Sequence, residues 1–156
     1  MPRKSTPTMT DMISRVADYA QELLEKPNRT QAEEEGLLYA AFAQAFLAQQ
    51  GGNEPAQARA EWLISRAYSV LGNGRESERH AKLCLELTER NRSQMRPLDT
   101  ALAYEAMARA AATEGDSQAL RHYHARAAEA GAAIENEAER RRFEAELKGG
   151  NWWGLV

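Results

Sequence analysis

Long stretches whose apolar residues recur every three or four positions alternate with short breaks of glycine, asparagine and proline along this chain. That spacing marks helices with one buried face. No β-branched run and no sustained alternation of period two is present, so no strand is predicted. The breaks predict seven helices. The first starts near Thr10, whose hydroxyl can cap it, and ends at Pro27–Asn28; the second runs from Thr30 to "QQGGNEP". The third opens at Glu54–Pro55, proline being tolerated in a first turn, and stops at "GNG", 72–74. A fourth covers about 76–91, and a fifth runs from Pro97 to "EGD", 114–116. A sixth follows from Asp116 or Ser117 to about Ile134, and a seventh from about Asn136 to Lys148. Short links make neighbouring helices antiparallel.

The stripes along these helices are narrow and built of small residues. Leu38, Phe42, Ala45 and Gln49 follow helical spacing on the second helix. Ser77, Ala81, Cys84 and Thr88 form a face of the fourth, and Leu120, His124, Ala127 and Gly131 repeat that spacing on the sixth. Small faces let helix pairs approach closely. The segments "AYSVLGNG" and "RAAATEGD" also invite alignment, Gly72 on Gly115. Ile64 then matches Met107, Ser65 matches Ala108, Ala67 matches Ala110 and Cys84 matches Ala127. The period, about 43 residues, is that of helical-hairpin arrays.

On "ISRAYSVLGNGRESERHAKLCLEL" and "YEAMARAAATEGDSQALRHYHARA" the chain resembles the tetratricopeptide repeat family. Each segment carries a small residue, a turn glycine, and the small residues of a second helix. The "EW-x-x-SR-x-Y-x-x-LG" and "AYEA-x-AR-A" patterns and the aromatic-glycine end also resemble a group of bacterial tetratricopeptide-like proteins. The repeat is longer than that family's usual 34 residues, its tryptophan falls one position late as Trp62, and Ser77 and Leu120 stand where it places alanine. The resemblance covers about 60–140. It implies antiparallel hairpins in a right-handed superhelix, with the first helix of each hairpin lining a concave surface that binds protein, not chemistry.

Arg59, Trp62 and Arg66 share one face of the third helix, opposite its small stripe; Leu102, Glu105 and Arg109 are the equivalents on the fifth. "ISR" occurs at 13–15 as well as at 64–66, which makes Arg15 a candidate first rung. Guanidinium forks grip carboxylates and an indole gives a flat apolar floor, a pattern suited to an acidic peptide or a C-terminal carboxylate. The plainer alternatives are an ion pair between Arg109 and Glu105, one turn apart, Arg66 lying along apolar surface, and Trp62 in the core.

After Gly149–Gly150 the chain ends "NWWGLV", 151–156, as an aromatic tail. Trp152, Trp153 and Leu155 fold back to cap the last hairpin near Phe143 and Leu147, enter a groove on a second copy, tying a homodimer, or stay free for another protein.

Composition narrows the classes. The chain has 156 residues, enough for one core; 43% are hydrophobic but only 7% aromatic, so alanine supplies much of the apolar content. A net charge of -3 with both signs mixed argues against nucleic acid as a ligand. Its single cysteine excludes an internal disulfide, and no stretch approaches a membrane span. "MPRKSTPTMT" has no apolar region behind its basic residues, so 1–9 reads as a disordered leader to the domain at 10–148, and the location as cytoplasmic. His80 and Cys84 share a face, but a cysteine at a small buried repeat position is inert. His122 and His124 point to opposite sides of a helix, "EEE" at 33–35 suits a helix start, and "ENEAERRRFEAE" reads as a solvated face. No catalytic set, metal site or cofactor motif is expected; the partner is a protein or peptide.

Overall fold

The structure, a computed structural model, describes residues 6–156. Its helices are α1 (Met9–Glu25), α2 (Gln31–Gln50), α3 (Glu54–Val70), α4 (Gly74–Arg90), α5 (Pro97–Glu114), α6 (Ser117–Ala132) and α7 (Glu137–Lys148). A 3₁₀ turn, Arg92–Gln94, joins α4 to α5, and no strand occurs among the described residues. The fold is all-α. Of the expected leader, 1–5 lie outside the described residues.

Capping chemistry explains where the helices begin. Thr8 starts α1, not Thr10: the Thr8 hydroxyl accepts from the Asp11 amide at 3.1 Å, while Asp11 accepts from the Thr8 amide at 2.9 Å. The reciprocal box needs an acid three residues on, which Thr8 has and Thr10 lacks. Thr30 and Glu33 repeat the box on α2. Asparagine caps α3, α4 and α7, through Asn53, Asn73 and Asn136. Asn73 brings the start of α4 forward to Gly74.

Each helix packs on the next, and α1, α3 and α5 also touch one another in order. Three hairpins, α1/α2, α3/α4 and α5/α6, therefore stand side by side, with α7 against α5 and α6. Small residues set the spacing. Ser65 donates to the Ser77 carbonyl at 2.8 Å and Ser77 donates back to the Ser65 carbonyl at 3.0 Å, locking α3 against α4. Ala101, Ala103, Ala106, Ala108 and Ala110 are fully buried on α5, which is surrounded on nearly every side. The corners at Gly72 and Gly115 match: both have φ +77. Asn73 and Asp116 each donate to a carbonyl five residues back, Tyr68 and Ala111, at 2.9 Å. This left-handed closure favours glycine.

On α2 the expected stripe differs by one position. Leu37, Ala41, Gln44 and Ala48 are buried, whereas Phe42 and Gln49 are exposed. The helix is apolar all round, so spacing alone does not choose the face. Ser77, Ala81, Cys84 and Thr88 are buried as a set, and so are Leu120, Ala127 and Gly131, with His124 at the margin.

Gly131 is where α7 meets α6: a Cβ there would collide with the buried Phe143 ring. Gly131→Ala is expected to lower stability by about 1–3 kcal/mol through this overlap, despite alanine's better helix propensity. A lower urea midpoint is the expected reading; a higher one would show that α7 does not rest on that surface.

Candidate functional site

α3 and α5 carry the central constellation. At equivalent places 43 residues apart, Trp62 and Glu105 meet, the indole Nε1 donating to Glu105 Oε2 at 3.4 Å. Arg109, fully buried, donates from Nε to Glu105 Oε1 at 2.5 Å. Arg66 Nε lies 3.9 Å from the same oxygen and donates to Glu146 Oε1 at 2.6 Å. Two guanidiniums and two carboxylates thus alternate beneath the end of α7. Burial works against each charge. It pushes the Glu105 carboxyl up from its ordinary value, with Arg66 and Arg109 opposing, and pushes Arg109 down. At Arg66 the carboxylates of Glu105 and Glu146 outweigh burial and hold the guanidinium above its ordinary value.

The C-terminal segment uses what remains of Arg109. Nη2 donates to the Glu146 carbonyl at 2.6 Å and Nη1 to the Asn151 carbonyl at 3.3 Å. The Trp152 ring lies over the guanidinium, 3.7 Å from Cζ, and its Nε1 donates to the Leu147 carbonyl at 3.2 Å. A cation at a helix C-terminus is favourable, and so is one on an indole face. Trp152 is buried against Ala108, Ala111, Ala112 and Leu120, so the tail folds back on its own chain over α5 and α6. Its carbonyl partner, Leu147, is one of the two residues expected beside it; Phe143 packs in the main core instead. Gly150 has φ +73, and a Cβ there would lie 2.8 Å from Arg109 Nη1. Trp153 donates to Thr113 Oγ1 at 3.1 Å and is half exposed; Leu155 is exposed.

Beside this seat runs a groove of about 1040 Å³, bounded by α1, α3, the start of α5 and α7. Arg59, Trp62, Arg66 and Leu102 line it, and Arg96 and Arg142 border it. Arg59 holds Asp99 in a fork, Nε to Oδ1 at 3.0 Å and Nη2 to Oδ2 at 2.9 Å. Asp99 also accepts from the Arg96 amide at 3.0 Å, closing the first turn of α5. Although burial raises it, these donors hold the Asp99 carboxyl below its usual value. Gln44 Oε1, Thr88 Oγ1 and Arg29 Nε are buried in the lining without hydrogen-bond partners among the described residues.

The candidate residues therefore divide. Trp62, Arg66, Glu105 and Arg109 come together, but the two arginines are engaged by carboxylates and carbonyls of the chain itself. Arg59 lines the open groove. Arg15 does not join them: it is exposed on α1, which offers Ala17, Asp18, Gln21 and Leu24 to the groove instead. Sequence reasoning missed Glu146, Asp99, Gln44 and Thr88. Asp99, at the third position after Arg96, had a capping signal; Glu146 stood hidden in a mixed-charge run.

His80 and Cys84 do not form a pair. His80 Nδ1 meets Glu61 Oε2 at 2.5 Å, and burial pushes the Cys84 thiol up to about 12. Among the described residues no cluster of three metal-ligating side chains occurs, and no helix is long and apolar enough to cross a membrane.

Comparison with protein-family models, with curated proteins and with solved structures finds no match. The functional reading accordingly comes from this chain's own geometry.

Two measurements follow from the ion pairs. Arg109→Met removes one partner of a buried pair and is expected to cost about 3–5 kcal/mol in chemical denaturation. A loss below about 1 kcal/mol would show the network to be dispensable. For Asp99, a depressed carboxyl pKa gives stability that is complete above its usual 3.8 and fades as pH falls below it. Asp99→Asn should therefore be about 1–3 kcal/mol less stable than wild type at neutral pH. That gap should close as the solution is acidified through and below 3.8; a gap independent of pH would contradict the assignment.

Proposed function

We propose that the protein is a non-catalytic, tetratricopeptide-like binding module of the cytoplasm. The hairpins form a right-handed array whose concave groove takes an extended acidic peptide. The observation that carries this reading is the groove itself. It holds about 1040 Å³ and is lined by Trp62, Arg59, Arg96 and Arg142. Asp99 and Glu139 accept from Arg96 and Asp99 accepts from Arg59, while Arg142 has no ion-pair partner among the described residues. Apolar side chains of the peptide lie against Trp62 and Leu102 on the groove wall. Acidic side chains of the peptide meet the arginine rim.

A second reading gives the groove a structural use, one end being filled by the chain's own tail. The contacts of Arg109 with Glu146, Asn151 and Trp152 favour it. The two are compatible: the tail closes one end and fixes where a visiting peptide stops.

The test uses a fluorescein-labelled peptide of alternating glutamate and leucine and the variant Arg59→Gln with Arg142→Glu. Wild type should bind with a dissociation constant of roughly micromolar order, and the variant at least about tenfold more weakly with its helical circular dichroism intact. Equal binding by the two proteins, or none by wild type, would overturn the reading.

A further inference from the structure

The outer face of α2 is unlike the rest of the surface. Residues 36–53 contain no charged side chain, in a chain that is 28% charged. Tyr39, Phe42 and Phe46 fall at i, i+3 and i+7 on one face and are 72%, 41% and 59% exposed. With aromatic side chains covering about 200 Å² each, they leave roughly 350 Å² uncovered in each copy. Two copies together bring about 700 Å², over half of the ~1,200 Å² at the small end of specific interfaces, before neighbouring residues count. Isolated exposed apolar residues are ordinary, but three aromatic rings along one helix are a patch.

Beside the patch is a hole. A pocket of about 250 Å³, between α2 and α3, is lined by Phe42, Ala45, Phe46, Gln49, Gln57 and Glu61. Phe42, Ala45 and Phe46 supply its apolar part, and the amides of Gln49 and Gln57 with the Glu61 carboxylate supply its polar part. That is the chemistry a tyrosine side chain fits, ring inside and hydroxyl donating to Glu61 or an amide oxygen. The chain presents such a tyrosine, its most exposed large apolar side chain, on the same helix: Tyr39 stands seven residues from Phe46, two turns away. Knob and hole on one helix face meet their counterparts when two copies pair about a two-fold axis.

The geometry points to a homodimer in which the α2 helices of two copies pack antiparallel about an axis near Phe42 and Ala43. Tyr39 of each copy enters the Phe46–Gln49 pocket of the other. A second copy is the occupant that fits, because the surface carries its own knob and its own hole, and the carboxylate in the hole, Glu61, already meets His80. This interface lies apart from the peptide groove and does not depend on it. Nor does it use the tail, which is folded on its own chain.

Sedimentation equilibrium at about 50 μM tests the proposal. Wild type should show twice the chain mass, and so should Leu155→Ala, which alters an exposed side chain of the tail. Tyr39→Ala and Phe46→Glu should each show the single mass with helical circular dichroism unchanged. A monomeric wild type, a dimer that persists in both α2 variants, or one lost in Leu155→Ala would overturn it. Register is read from a Tyr39→Cys/Phe46→Cys double variant under mild oxidation. Crosslinks should join 39 to 46 between copies; 39–39 and 46–46 links alone would overturn the antiparallel arrangement.

Discussion

Arg109 is the side chain on which the inner face turns. It is large, charged and completely buried, and each of its nitrogens donates to an acceptor from its own chain. A guanidinium so placed cannot release its proton, so its environment must supply acceptors. Glu105 supplies one from the same helix, α7 supplies a carbonyl at its C-terminal turn, and the tail supplies another. The Trp152 ring covers the remaining face of the guanidinium. Because buried polar groups without partners are strongly unfavourable, α7 and the tail are fixed by what Arg109 and Arg66 require.

That constraint explains the end of the sequence. Two tryptophans beside a glycine pair look like loose, adhesive residues. In the fold, Gly150 lets the backbone turn against Arg109, Trp152 fills the apolar shelf of α5 and α6, and Trp153 closes over Thr113. The last hairpin, α5/α6, is covered by α7 and the tail. The remainder of the groove stays open, bordered by Arg59, Arg96 and Arg142.

Much of this was legible in the sequence, for definite reasons. Helix ends follow local chemistry: asparagine, aspartate, threonine, glycine and proline mark them within a residue or two. The two matching corners were legible because a glycine closes each, Gly72 and Gly115, and small residues stand where the helices touch. Two things were hidden. On α2, apolar residues on every side leave periodicity without direction, so the buried face was assigned one position off. At the inner face, sequence spacing places Arg66 and Arg109 on equivalent positions but does not show what lies opposite. Glu146 is 80 residues from Arg66, and nothing local joins them. Ion pairs of that separation exist only once α7 has packed.

The account rests on the tail docking within its own chain. Isotope-filtered nuclear Overhauser spectroscopy on an equal mixture of labelled and unlabelled protein reads this directly. Cross-peaks from the Trp152 indole to the methyl groups of Ala112 and Leu120 should arise within one chain only. Cross-peaks between labelled and unlabelled chains, or no cross-peak from that indole to either residue, would contradict it.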